Sequence, residues 1–128
     1  MSWRSALGRA EGHGSAQDGV GHWWLQRLTS VALIVLGVWL TVSLLALQAH
    51  DYLAVAGWIR TGWTAPVLIA FVVVGAWHSQ LGVRVVVEDY VHELGPKTLT
   101  LALVTFAHVA VAAVGVYAVL KVALGSPL

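Results

Sequence analysis

Three long runs of apolar residues dominate this sequence, and they limit its possible folds more than any other feature. Each run has about the 20 residues that an α-helix needs to cross a hydrocarbon core about 30 Å thick. Hydrophobic residues make up 59% of the 128-residue chain and charged residues only 10%, whereas soluble domains are about 25% charged. The sequence therefore predicts an all-α membrane protein with three transmembrane helices.

The borders of the apolar runs predict two parts of the chain. Segment 1–27 is polar and is expected to form an N-terminal arm ending in an interfacial stretch, where Trp23 and Trp24 suit the headgroup level. Segment 28–128 is expected to form the membrane domain. Its helices are predicted at about 28–47, 65–87 and 98–124, with a loop at 48–62 and a break at Gly95-Pro96.

Composition excludes several classes of function. A net charge of +1 gives no case for binding nucleic acid, and the absence of cysteine excludes disulfides and cysteine-bound iron–sulfur clusters. Histidine can still bind haem iron. Residues before Leu28 include charges and no apolar core, so they do not form a signal peptide, and the first apolar run is expected to remain as an anchor.

Basic residues predict the orientation in the membrane. Loops on the cytoplasmic side are enriched in Lys and Arg. Five basic residues flank the N-terminal side and the second loop, against two near the opposite side: Arg4, Arg9, Arg27, Arg84 and Lys97 against Arg60 and Lys121. The N-terminus is therefore expected in the cytoplasm of a bacterium, with the chain in the inner membrane, or in the equivalent mitochondrial compartment.

The second predicted helix contains the most informative polar residues. His78 lies inside the apolar run, and Asp89 and Tyr90 lie at its inner end. His78 and Asp89 are eleven residues apart, which is about three helical turns and about 16 Å of rise, so both lie on nearly the same face. Because an ionisable residue inside a membrane is costly, it indicates function. A cofactor beside His78 and a polar-headed substrate near Asp89 and Tyr90 fit this arrangement.

Two interpretations of His78 remain open. Gly75, Ser79 and Gly82 are small neighbours of His78, and they leave room for a porphyrin plane with the imidazole as axial ligand. Alternatively, the small residues let two helices approach closely, with His78 hydrogen-bonded across the contact. His108 in the third helix presents the same choice between a ligand and an interhelical hydrogen bond, of which the hydrogen bond is the commoner.

Asp89 and Tyr90 also allow two interpretations. A tyrosine hydroxyl can donate a hydrogen bond to a quinone carbonyl, and the neighbouring carboxylate can support that network or relay a proton. Alternatively, both are ordinary residues of a membrane interface. Arg84 lies on another face, where it can reach the headgroups or pair with Glu88 one turn later.

The pattern His-Ser-x-x-Gly-x-x-x-Val-x-x-Asp-Tyr-Val-His over residues 78–92 resembles the second helix of the succinate dehydrogenase small cytochrome b anchor subunits of D type, in respiratory complex II. Two further stretches support the resemblance. They are Ser-Ala-Leu-Gly-Arg at 5–9, and His-Trp-Trp-Leu-Gln-Arg at 22–27 with Thr29 following.

The resemblance implies a place in a larger enzyme. In that family a flavoprotein subunit with FAD oxidises succinate, and an iron–sulfur subunit passes electrons to ubiquinone at the membrane. Two three-helix anchor subunits form a six-helix heterodimeric bundle with one haem b between them. By resemblance, His78 is an axial ligand of the haem iron, and Arg27 lies near the haem propionates and the quinone pocket. Tyr90 hydrogen-bonds the quinone and Asp89 supports it.

Two other functions remain open from the sequence. One is the anchor of a fumarate reductase, which runs the same chemistry in reverse. The other is a haem-free structural anchor that docks a soluble complex at the membrane. In the leading interpretation the chain is a subunit of an electron-transfer enzyme and has no complete active site of its own.

Overall fold

The computed structural model describes residues 15–125, and within this range the chain is helical and contains no strand. The helices are α1 (Ser15–Leu45), α2 (Tyr52–Ile59), α3 (Thr64–Tyr90) and α4 (Leu94–Leu124). Three segments are long and apolar enough to cross a membrane, namely Val20–Leu45, Thr64–Tyr90 and Leu94–Leu124. The prediction of an all-α protein with three such helices is confirmed.

The first helix begins earlier than the predicted residue 28. It starts at Ser15, so Trp23 and Trp24 lie on the helix, with their rings stacked at 6.2 Å between centroids. The stretch at 5–9 that supported the family resemblance lies outside the described residues, as does Arg4. The division of the chain at residue 27 stays a prediction.

The last helix also begins before its predicted start at residue 98. Gly95-Pro96 was expected to break the chain, but α4 begins at Leu94 and includes both residues. Proline is compatible with the first turn of a helix, because the N–H groups there have no intrahelical acceptor. As a result only residues 91–93 connect α3 to α4.

The connection between α1 and α3 contains the short helix α2, where the sequence predicted a loop. The side chain of Asp51 accepts a hydrogen bond from the Ala54 N–H at 2.8 Å and caps its start. At its other end, Arg60 donates from Nε to the carbonyl of Val122 near the end of α4, at 3.0 Å. A cation at a helix C-terminus is favourable for the helix dipole.

Helix α3 is central in the described part of the chain. It packs against both α1 and α4, whereas α1 and α4 do not pack against each other. The apolar side chains buried among the described residues are few: Ala56, Leu81 and Val87. Many large apolar side chains on α1 and α4 are exposed. The three helices therefore form an open layer whose faces suit lipid or partner helices.

Candidate functional site

The contact between α1 and α3 is centred on His78. Its Nδ1 lies 2.8 Å from Oγ1 of Thr29, a side chain that is only 5% exposed. Its Nε2 lies 3.5 Å from Nε2 of Gln26, a distance at the outer limit for a hydrogen bond. One ring nitrogen is thus held firmly by α1, and the other has only a weak amide contact.

Two buried polar atoms of α1 have no partner among the described residues. Nε2 of His22 and Oε1 of Gln26 are both buried and make no hydrogen bond there. His22, Gln26 and Thr29 are four and three residues apart on α1, so they share the face that packs on α3. Because buried polar groups in proteins are normally hydrogen-bonded, this face has polar atoms that can take a further partner.

The glycines around His78 face α1. A Cβ placed on Gly75 would lie 3.8 Å from Leu33, and one on Gly82 would lie 3.6 Å from Nε2 of Gln26. Both are ordinary van der Waals distances, so a Cβ would fit at either position and the contact between the two helices does not require glycine there. Both glycines lie on the side of α3 that faces α1, and the two interpretations of them stay predictions.

His108 lies on the other side of α3, between α3 and α4. Its Nδ1 is 2.7 Å from the carbonyl of Val104 one turn earlier, and its Nε2 is 3.2 Å from Oγ of Ser79 on α3. Both residues line an open apolar groove of about 420 Å³ between the two helices. Both ring nitrogens of His108 are therefore engaged, and the expected interhelical hydrogen bond is present.

Asp89 and Tyr90 lie in the last turn of α3, beyond the predicted helix end at residue 87. Both side chains are exposed, Tyr90 by 80%, and neither hydrogen-bonds to a described residue. Nε of Arg84 lies 2.8 Å from Oε1 of Glu88. This ion pair is one of the two roles that the sequence predicted for Arg84. The structure thus leaves the phenol and the carboxylate accessible together at the end of the helix.

Arg27 is exposed near the start of the apolar part of α1. Its guanidinium lies 4.8 Å from the centroid of the Trp23 ring, four residues earlier, as in a cation–π contact. Arg27 lies two positions before Thr29, which corresponds to about 200° around the helix. Arg27 therefore points away from α3 and does not join His78 in the geometry of the single chain.

Sequence reasoning found His78 but not the residues that hold it. Thr29 had been noted only as part of the resembling stretch, and Gln26 had not been singled out. The available signal was the spacing of His22, Gln26 and Thr29, which places three polar side chains on one face of an otherwise apolar helix. No cluster of three or more His, Asp or Glu side chains suited to a metal ion occurs within residues 20–125, whose side chains the structure describes.

Comparisons with known proteins agree on one family. Residues 1–117 match the family described as succinate dehydrogenase/fumarate reductase transmembrane subunit. A succinate dehydrogenase hydrophobic membrane anchor subunit from Rickettsia conorii is 33% identical over 90 residues, 70% of this chain and 71% of the relative. The protein of the same name from Paracoccus denitrificans is 32% identical over 120 residues, 91% of this chain and 90% of the relative. No solved structure matches the chain significantly.

Proposed function

We propose that this chain, which belongs to the succinate dehydrogenase/fumarate reductase transmembrane subunit family as its central motif indicated, binds haem b together with a sister anchor. We also propose that it forms part of a ubiquinone-reduction site. Its role as a hydrophobic membrane anchor places it in a membrane with other subunits of the complex. The partners we propose are a second cytochrome b anchor, an iron–sulfur subunit and a flavoprotein subunit.

The surroundings of His78 carry the haem proposal. The Nε2 atom of this side chain faces only the weak contact with Gln26, whereas both nitrogens of His108 are engaged within the chain. Of these two imidazoles, His78 is therefore the one with a ring nitrogen suited to an axial position. A haem with two histidine ligands then takes its second imidazole from the sister anchor.

The residues around His78 fit such a group. Gln26 has a flexible side chain, and its Oε1 has no partner among the described residues, so its amide can move away from Nε2 of His78 without losing a strong hydrogen bond. Nε2 of His22 on the same helix face is also without a described partner. When bound, a haem supplies reversible one-electron transfer, and His78 would hold its iron.

The proposed quinone site uses the inner end of α3. The Tyr90 hydroxyl is exposed and can donate to a quinone carbonyl, and Asp89 beside it can accept or relay a proton. Arg27 is exposed beside the Trp23 ring, and its cation suits a haem propionate or a polar quinone head from a partner's side. Each of these side chains is accessible for a contact outside the chain.

The orientation we propose has these residues at the cytoplasmic surface. The start of α1, the end of α3 and the start of α4 share one end of the layer, since each long helix reverses the direction of the one before. Arg27, Arg84 and Lys97 lie in these segments. An excess of basic residues at this end favours the cytoplasmic side of a bacterial membrane.

Replacing His78 with Ala in the complete complex tests the haem proposal. We expect the reduced-minus-oxidised haem spectrum to be lost or strongly changed, because one of two axial ligands is removed. His108→Ala is the matched variant, since it removes another membrane imidazole whose nitrogens are both engaged within the chain. Its haem spectrum should stay close to that of the unaltered complex.

The amount of each subunit in the purified complex is measured alongside the spectrum, so that loss of assembly is distinguished from loss of haem. An unchanged spectrum in the His78 variant would refute the ligand assignment. Loss of the haem spectrum in the His108 variant but not in the His78 variant would instead identify His108 on α4 as the axial ligand.

A further inference from the structure

The hydroxyl of Thr29 lies among three polar atoms, and their positions decide where its hydrogen points. Oγ1 is 2.8 Å from the carbonyl oxygen of Leu25, 3.1 Å from that of Gln26 and 2.8 Å from Nδ1 of His78. Carbonyl oxygens only accept hydrogen bonds. If the hydroxyl donated to His78, its oxygen would face two carbonyl oxygens at close range with no hydrogen between them.

The opposite arrangement gives the Thr29 hydroxyl, the two carbonyl oxygens and Nδ1 of His78 compatible hydrogen-bonding roles. The Thr29 hydroxyl donates to the carbonyls of its own helix and accepts a hydrogen bond from Nδ1–H of His78. The imidazole proton is then on Nδ1, and the lone pair is on Nε2. The nearby Gln26 amide agrees with this arrangement. Its Nε2–H can donate weakly to a lone pair on Nε2 of His78 at 3.5 Å, whereas an N–H on that ring atom would be a second donor facing the amide donor.

From this geometry we infer that Thr29 is a positioning residue for His78: it selects the tautomer whose Nε2 can bind iron and makes the imidazole a more electron-rich ligand. The inference rests on the proposed haem ligation. A hydrogen bond from the far nitrogen of a ligand histidine sets the orientation of the ring and raises its basicity. The buried position of Thr29, 5% exposed, keeps water from replacing the contact.

Thr29→Val in the complete complex tests this role, because valine keeps the shape of threonine and removes the acceptor. We expect a higher haem midpoint potential, since a less basic ligand stabilises the ferric state less, and haem retention weakened by about 10- to 100-fold. Thr29→Ser keeps the hydroxyl and should restore both values. Thr41→Val is the matched control, because the Thr41 hydroxyl donates to the Gly37 carbonyl in the same helix and contacts no histidine.

A midpoint potential and haem retention equal to those of the unaltered complex in Thr29→Val would overturn the inference. If that variant does not assemble, Thr29→Ala carries the same expectation with a smaller side chain. Failure of both to assemble, with Thr41→Val intact, would show that the hydroxyl serves helix packing alone and would also overturn it. His78→Ala in the same series distinguishes haem ligation by His78 from the positioning role of Thr29. An unchanged haem spectrum in His78→Ala would refute the ligation, independently of the results for the Thr29 variants.

Discussion

His78 and His108 are both imidazoles in membrane-spanning segments, yet their ring nitrogens have different partners. His108 donates from Nδ1 to a carbonyl of its own helix and reaches Ser79 with Nε2. His78 has one strong contact, to Thr29, and one weak one. Sequence spacing could identify both histidines, but not this difference, because it depends on which side chains of α1 and α3 the packing brings next to each ring.

Tyr90→Phe is expected to lower quinone reductase activity about tenfold or more. The ring and its position remain, but the hydroxyl that we propose as donor to the quinone carbonyl is lost. A hydrogen bond contributes about 0.5–1.5 kcal/mol, and more where charge builds on the acceptor during reduction, while about 1.36 kcal/mol corresponds to a factor of ten in rate. Quinone-linked succinate oxidation by the purified complex measures the effect.

Two controls accompany the Tyr90 variant. Succinate oxidation with a soluble dye that accepts electrons before the quinone should stay nearly unchanged, since flavin and clusters belong to the partner subunits in the proposed complex. Tyr52→Phe alters another exposed tyrosine, at the start of α2 and the opposite end of the layer, and should leave both activities intact. An equal fall of dye-linked and quinone-linked rates would show that Tyr90 acts structurally.

The contact between α3 and α4 depends on a small residue that the sequence analysis did not single out. A Cβ on Gly115 of α4 would lie 2.7 Å from Cγ1 of Val72 on α3. Such a distance requires the helices to separate or Val72 to leave its rotamer, and a β-branched side chain in a helix has little freedom to do so. Gly115 therefore sets how closely α4 lies against α3.

Gly115→Ala is expected to destabilise the assembled complex relative to Gly37→Ala, whose added methyl group would meet no atom within 4 Å. The difference should be about 1–3 kcal/mol in unfolding free energy, as for other overpacked sites. Denaturant titration of the purified complex measures it. Combining Gly115→Ala with Val72→Ala should recover most of the loss; no recovery would mean that Val72 is not the obstructing side chain.

Helix ends show where sequence reasoning was limited. The apolar runs predicted the three spans because a segment inside a bilayer must be apolar. They did not predict where a helix continues into a polar segment. α1 extends back to Ser15 and α4 to Leu94, in segments where local hydrogen bonding rather than hydropathy decides. Pro96 was taken as a break, although the first turn of a helix accepts proline.

The arrangement of the three long helices explains why one chain is only part of a functional unit. α3 separates α1 from α4, and the outward faces of both are apolar and exposed. Apolar exposure suits lipid, but it does not explain the exposed Arg27, Asp89 and Tyr90 near one end. The sequence predicted these chemical groups through its motifs. The structure adds that Arg27 contacts the Trp23 ring and that Asp89 and Tyr90 are exposed at the end of α3.

The last prediction concerns the chain expressed without its proposed sister anchor. We propose His78 as the axial ligand that this chain supplies, because both nitrogens of His108 are engaged within the chain. A haem held by two histidines then requires a second chain. We expect the subunit alone to enter the membrane and to contain little haem, with the haem signal appearing when the sister anchor is co-expressed. Haem content per subunit after purification measures this, and a stable, fully loaded homo-oligomer of this chain would contradict it.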